Sequence, residues 1–414
     1  MIRDGILQEG KADLPAIRQW IDNRMPDIVR DLTRICRIRS VAEAEASQYP
    51  PFGKGCRDVL EEMLHIGEEN GFLVQNFDNY VGKISYAASP QADTIGIWAH
   101  LDVVEEGEGW EYEPYDPVVK DGYFIARGCQ DNKSSAILGL YVLKYMKEHH
   151  ISLSHGLELY LGTCEEQGMY DLDYYVAHYR LPALSLVPDS GFPVCCGERG
   201  SFNAELISRR ECGKELLEVS CDCGLYTIPD QARAVLAYSG ERWEKPPRLS
   251  APVTAERVGE TIRIIAHGVR AHASRPADGV NALTLLAQAL CTQELIDGEN
   301  RELFGIIPAI NQDNTGQALD VFCEDALSGP ICLTATQLRM QEGRLVIGFM
   351  SKYPVTCSDF PFAKRAEKAA QRRGFEIKIT RLAKASYFDP EHPVARTLTQ
   401  TCREILENED GPFV

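Results

Sequence analysis

The stretch TIGIWAHLDVV, residues 94–104, constrains the fold more than any other part of the chain. It is apolar almost without interruption, so as a strand it faces water on neither side, and strands of that kind belong to sheets covered on both faces. LELYLGT (157–163) and ALSLVP (183–188) read as further buried strands. Between them and the first lies NKSSAILGLYVLKYMK (132–147), with Ala136, Leu140 and Leu143 on one helical face. Strand, helix, strand in this order predicts α/β layering around a central sheet. Two helices come earlier: LPAIRQWIDNRMPDIVRDLTRICR (14–37) has helical apolar spacing, and CRDVLEEMLHIGEEN stops at Gly71. FLVQNF and VGKISYA are short β-rich runs after them.

Beyond residue 195 the pattern changes. SFNAELISR and TIRIIAHGV read as longer amphipathic strands and VNALTLLAQAL as a helix; RLVIGFMSKYPV, the helix FAKRAEKAAQRRG and the strand FEIKITRL follow. This order predicts an inserted α+β (ferredoxin-like) domain. HPVARTLTQTCREILENE is a last amphipathic helix, whose apolar stripe needs a surface to cover. The expected organisation is 1–194 for the first part of an α/β domain, 195–385 for the insertion, and 386–414 returning to the first domain.

With 61 acidic against 43 basic residues and a net charge of −18, most of the surface repels nucleic acid and anionic lipid. No run approaches the ~20 apolar residues that span a bilayer, and the N-terminus lacks a signal-peptide core. The 14 cysteines are scattered without a regular framework, as expected of reduced thiols in the cytoplasm. Cys195-Cys196 and Cys221-Asp222-Cys223 are too close-set for a zinc ribbon. A G-x-x-x-x-G-K-[ST] loop and a G-x-S-x-G elbow are both missing, which removes support for a GTPase or a serine hydrolase.

The chemistry lies at the strand ends. Side chains at i and i+2 of a strand share a face, which sets His100 beside Asp102 where open α/β sheets place their ligands. A metal-binding histidine usually gives its other N–H to a carboxylate. Taken alone, the pair favours the simpler reading of a strand-end histidine satisfied by a nearby acid. Asp131, in ARGCQDNK, suits a helix N-cap or a carboxylate bridging two cations. Glu165-Glu166 closes a buried strand, where adjacent like charges are costly unless cations or protons offset them. Adjacent residues face opposite ways, so one can ligate while the other serves as general base. Asp189, in VPDSGFP, is either a turn aspartate or one more hard oxygen ligand. One imidazole with several carboxylates suits Zn²⁺, Mn²⁺ or Co²⁺, and two such ions together support metal-assisted hydrolysis. The acidic run Glu105, Glu106, Glu108, Glu111 and Glu113 reads as a solvated loop.

HLDVV, GW, ARGCQDNK, TCEEQG, PDSGFP and GVRAHASRPADGVNA, in that order, resemble the M20 metallopeptidase family, and most nearly its PepV/Sapep-type dipeptidases. The resemblance covers nearly the whole chain. It implies a zinc-peptidase-like catalytic domain with a central mixed sheet and an inserted lid domain. It further implies two divalent metal ions, Zn or Mn, with His100 and Asp189 on separate ions, Asp131 bridging and Glu166 as a further ligand. Glu165 matches the family's general base, Asp102 its histidine-orienting acid, and His272 the histidine that stabilises the oxyanion. The implied reaction is hydrolysis of dipeptides by a metal-activated water, by a monomer or homodimer whose partner is a small peptide substrate. N-acyl amino acid deacylation is the alternative of the same chemistry.

Several positions depart from the family pattern. Cys164 stands for an aspartate, Ser134 for a glycine and Glu105 for a proline. Lys352, in MSKYPV, replaces an arginine; it still attracts a peptide's terminal carboxylate, without the flat bidentate fork. The family's G-G-T segment and last histidine ligand lie beyond the helix that ends near Asn408, and Val414 comes before either. The resulting expectation is that one ion loses an imidazole and is held weakly, because a catalytic zinc normally takes three protein ligands. That motivates a further alternative, a catalytically impaired metal- or peptide-binding protein.

Overall fold

The structure, a computed structural model, describes the chain apart from residues 1–12, 44–48, 87–92, 152, 154, 222, 239–246 and 248. The first part of the N-terminus, Ala87 of the run VGKISYA, and Asp222 therefore lie outside the described residues. The chain divides into two compact units, Met1–Ser190 and Gly191–Val414.

In the first unit helices α1 (Leu14–Cys36) and α2 (Lys54–Glu69) precede strands β1 (Leu73–Phe77), β2 (Val81–Tyr86) and β3 (Thr94–His100). Helix α3 (Lys133–Glu148), strand β4 (Gly156–Gly162), helix α4 (Tyr170–His178) and strand β5 (Leu184–Leu186) follow. The sheet order is β1-β2-β4-β3-β5, antiparallel through β4 and parallel from β4 to β5, so it is mixed. All seven residues of β4 are buried. Ile35, Met63, Ala136, Leu140, Leu143 and Leu159 join α1, α2 and α3 to the sheet in one core cluster. Gly139 makes the close approach of α3 possible, since a Cβ there would lie 2.7 Å from Leu159. Against α4 the packing is aromatic: Trp98 stacks on Tyr160 at 4.2 Å, with Tyr175 edge-on to both. The continuous apolar runs are thus explained by cover on both sides of the sheet.

The second unit holds an eight-stranded sheet. Its strands are β6 (Gly200–Glu211), β7 (Leu216–Ser220), β8 (Gln231–Ala237), β9 (Val253–Val258), β10 (Thr261–His267), β11 (Cys332–Gln341), β12 (Arg344–Tyr353) and β13 (Phe375–Ala383). They run in the order β9-β10-β8-β7-β11-β12-β6-β13, with every pairing antiparallel. Ala232, Ala234 and Leu236 of β8 and Ile262, Ile264 and Ala266 of β10 alternate inward. They pack with helices α5 (Ala282–Thr292), α6 (Gly298–Phe304), α7 (Ile306–Asn311) and α8 (Phe362–Arg372) over a single core, which makes the unit α+β.

Residues 386–414, assigned by sequence to the first domain, make their described contacts with the head of the second unit. Ser386 and Tyr387 pair with Glu198 and Gly197, and Phe413 exchanges backbone hydrogen bonds with Val194 and Cys196. Helix α9 (Pro393–Leu406) brings Cys402 Sγ to within 3.3 Å of the Pro193 carbonyl oxygen. Among the described residues no helix is long and apolar enough to cross a membrane.

Candidate active site

His100 is the last residue of β3, so the strand stops before Asp102 instead of running on to Val104. The imidazole is buried, with Nδ1 3.0 Å from the backbone oxygen of Asp102 and 3.4 Å from its carboxylate. The pairing expected from sequence is therefore shared between a carbonyl and a carboxylate, because the carboxylate is occupied elsewhere. Asp102 Oδ1 and Oδ2 accept hydrogen bonds from the backbone N–H groups of Glu165 and Glu166, each at 3.0 Å. This buried acid thus reaches both the histidine and the glutamate pair.

Asp131 is not the helix cap; that position belongs to Asn132. Asp131 Oδ1 lies 3.0 Å from His100 Nε2, and Asp189 Oδ2 lies 3.6 Å from the same nitrogen. Asp189 follows β5, where its Oδ1 accepts from Asn132 Nδ2 at 2.6 Å. Ligating atoms of His100, Asp131 and Glu166 all fall within 4.8 Å of one another. Six of the eight residues singled out by sequence thus lie in the first unit, around the ends of β3, β4 and β5.

The electrostatics match a cation site. Burial, reinforced by neighbouring carboxylates, pushes Glu165 up to about 7. Glu166 and Asp189 are raised for the same first reason, with the Asp131 charge adding to it. Asp131 is held low by its hydrogen bond to His100. Burial pulls His100 down, but the Asp102 and Asp131 carboxylates outweigh it and raise the imidazole to about 11. At neutral pH the ring therefore carries the proton that a bound ion would displace. Uptake of Zn²⁺ or Mn²⁺ at pH 7 is expected to release about one proton from His100, and a further fraction from Glu165 as pH falls below 7. Apparent affinity accordingly rises with pH, by about tenfold per unit for each proton displaced. Calorimetry in buffers of different ionisation enthalpy measures this, and an ion taken up without proton release contradicts the assignment of His100 as ligand.

Sequence reasoning passed over three supporting residues. Asn132 ties Asp189 and the Pro188 carbonyl oxygen to the head of α3. Lys133, fully buried and pushed down to about 8 by burial, donates to the carbonyls of Ile35 and Ile38 at the end of α1. Both stood in the motif ARGCQDNK without a role. Asp171, on the first turn of α4, is buried as well, and nothing in its local sequence marks it out. The acidic loop is solvated as expected at Glu105, Glu108, Glu111 and Glu113, which are exposed, while Glu106 is partly buried and tied down. Glu106 accepts from Arg39 and Tyr115, and its backbone oxygen accepts from Trp110 and Arg127.

In the second unit His272 lies on a two-residue strand, Ala271–His272, paired with Thr227–Ile228. Its Nδ1 is 2.6 Å from the Ser274 hydroxyl and its side chain is exposed. Lys352, near the end of β12, has Nζ 3.5 Å from Glu198 Oε1.

The imidazole–carboxylate cluster thus stands at the strand ends of the mixed α/β unit, where sheets of this kind place their ligands. The chain belongs to peptidase family M20/M25/M40, whose model matches residues 96–398. It is 30% identical over 387 residues to the Bacillus subtilis (strain 168) protein named "Putative dipeptidase YtjP", covering 90% of this chain and 82% of that one. The similarly named SA1572 of Staphylococcus aureus (strain N315) is 27% identical over 413 residues, covering 93% and 85%. In fold, the chain resembles human carnosine dipeptidase 1, with a TM-score of 0.56, 12% identity, and coverage of 97% of this chain and 87% of that one. It also resembles the dipeptidase Dug1p of Saccharomyces cerevisiae, with a TM-score of 0.57, 13% identity, and coverage of 97% and 86%.

Proposed function

We propose that the protein hydrolyses the peptide bond of dipeptides with the help of two divalent ions, Zn²⁺ or Mn²⁺. The observation that carries this reading is the convergence of His100, Asp131 and Glu166 within 4.8 Å, beside the raised carboxyl of Glu165. His100, Asp131, Glu166 and Asp189 would hold the ions. Their donor set of one imidazole and several carboxylates fits such ions, and crowded buried acids are stabilised by them. Bound there, the ions supply Lewis-acid polarisation of the scissile carbonyl and a water acidic enough to attack at neutral pH.

The chain's own groups do the rest. Glu165 takes the proton of the attacking water and returns it to the leaving amine, and its environment suits a base working near neutrality. Asp102 fixes His100 on one side and the backbone of Glu165 and Glu166 on the other. His272, with Nδ1 engaged by Ser274, is the donor proposed for the developing oxyanion. Lys352 is proposed to attract the substrate's terminal carboxylate. The roles of His272 and Lys352 rest on the sequence motifs that contain them. The cytoplasm is the proposed compartment, supported by 14 free cysteines, and the active form is proposed to be a monomer or a homodimer.

A panel of dipeptides alongside N-acetyl and N-succinyl amino acids, with added Mn²⁺ or Zn²⁺, tests the reading. Turnover of dipeptides is expected. Cleavage of the acylated compounds alone would assign a deacylase, and a tightly held ion with no turnover would assign a binding protein.

A further inference from the structure

The glutamate pair sits on a backbone segment whose amide hydrogens are taken up, one after another, by two buried carboxylates. Asp102 accepts from Glu165 and Glu166, as described above. The two residues before them are held in the same way. Asp171 Oδ2 accepts from Thr163 N–H at 2.6 Å and from Cys164 N–H at 3.0 Å, while its Oδ1 accepts from Leu172 N–H at 2.8 Å. Asp171 is only 3% exposed, and Asp102 is 0% exposed. Four successive N–H groups, 163 to 166, therefore end on two carboxylates that come from different parts of the chain.

The arrangement is costly unless it serves the segment it holds. Asp102 has His100 beside it, but Asp171 has no cationic partner among the described residues and is stabilised only by the hydrogen bonds it accepts, every one of which comes from backbone. Space for it is reserved as well: a Cβ on Gly162 would stand 2.5 Å from Asp171 Oδ2. The loop is also closed on itself, Gly168 N–H bonding to the Glu165 carbonyl and Met169 N–H to that of Cys164. With both ends of the turn fixed, the peptide planes of 163–166 have little freedom. Those planes set where the Glu165 and Glu166 side chains start.

We infer that Asp171 is a positioning residue for the Glu165–Glu166 pair, acting through the amides of Thr163 and Cys164 as Asp102 acts through those of the pair itself. This inference rests on the reading of Glu165 as base and Glu166 as ligand. Replacing the carboxylate by an amide turns one acceptor oxygen into an NH2 group that must face either the N–H groups of Thr163 and Cys164 or that of Leu172, so one side of the turn loses its acceptor, the segment shifts and the pair moves with it. Catalysis falls in the bound complex, while groups that recognise substrate elsewhere stay in place.

The test uses the full chain loaded with Co²⁺, comparing wild type, Asp171→Asn, Gly162→Ala and the core control Ile66→Val, whose side chain is fully buried on α2. Activity is expressed per bound ion and measured well below each melting temperature. Asp171→Asn and Gly162→Ala are expected to lower kcat per bound ion by about 10–100-fold, the usual cost of an outer-shell partner, with KM within about threefold. The visible Co²⁺ spectrum should change in both, and in Ile66→Val neither quantity should. Should Asp171→Asn not fold, Gly162→Ala decides alone, because it displaces the carboxylate without removing it. Wild-type kcat per ion and an unaltered spectrum in the folded variants overturn the inference while leaving the dipeptidase reading intact. A wild-type chain that neither binds Co²⁺ nor cleaves dipeptides overturns that reading and the inference with it.

Discussion

Glu165→Gln is expected to reduce kcat for dipeptide hydrolysis by about 10²–10⁴-fold, the range a positioned general acid–base contributes. The substitution keeps shape and removes only the capacity to take and return a proton. The backbone N–H of residue 165 still reaches Asp102, so the loop keeps its course. The ions should remain, since His100, Asp131 and Glu166 are untouched. In the wild type, activity is lost as pH falls, because the base works only when ionised. The raised value of about 7 belongs to the ion-free site, and bound cations move that limb to lower pH. Steady-state kinetics with metal analysis of the same sample checks the outcome. A variant with full metal and kcat within tenfold of wild type would remove Glu165 from the reaction.

Asp131→Ala should act on binding instead, weakening the tighter ion by more than about 100-fold, above the 10–100-fold cost typical of an outer-shell partner. The side chain is 67% exposed and contributes no core packing, so its loss leaves the fold in place. What goes is the carboxylate nearest His100 Nε2. The remaining acid by that nitrogen, Asp189, is 3.6 Å away. The cluster of three ligating residues then falls to two, below the number a tightly held catalytic ion requires. Competition against a fluorescent chelator measures the affinity, and melting in EDTA separates it from stability. Undiminished binding by a folded Asp131→Ala protein would show that the carboxylate is not a ligand.

Much of this molecule was legible because its chemistry sits at the ends of apolar runs. The continuous apolarity of β3 and β4 marked the covered sheet, and His100, Asp131, Glu166 and Asp189 were each flagged by a polar break in or beside such a run. Less visible were elements that bury one face only. Strand β8 alternates inward Ala232, Ala234 and Leu236 with Gln231 and Arg233 on the open face, and a search for continuous runs passes over it. The helix α4 carries an acid in its first turn like many others, so the partnership of Asp171 with residues 163 and 164 emerges only when the turn is folded. Asp102 was found but its main occupation was not, because backbone amides leave no signature in a side-chain pattern. The last segment followed the same logic: an amphipathic stripe shows that α9 must lie against something, without saying what.

The cluster around His100 draws its members from three stretches that are remote along the chain and adjacent only once β3 and β4 lie parallel, His100 opposite Gly162. An unfolded polypeptide therefore offers an ion nothing comparable, and occupancy is linked to the folded population. Any lesion that loosens this sheet, even one beneath α2, will register in a chelator titration as poor affinity, and surplus ion will partly mask it. Metal content thus doubles as a gauge of how much of the sample is native.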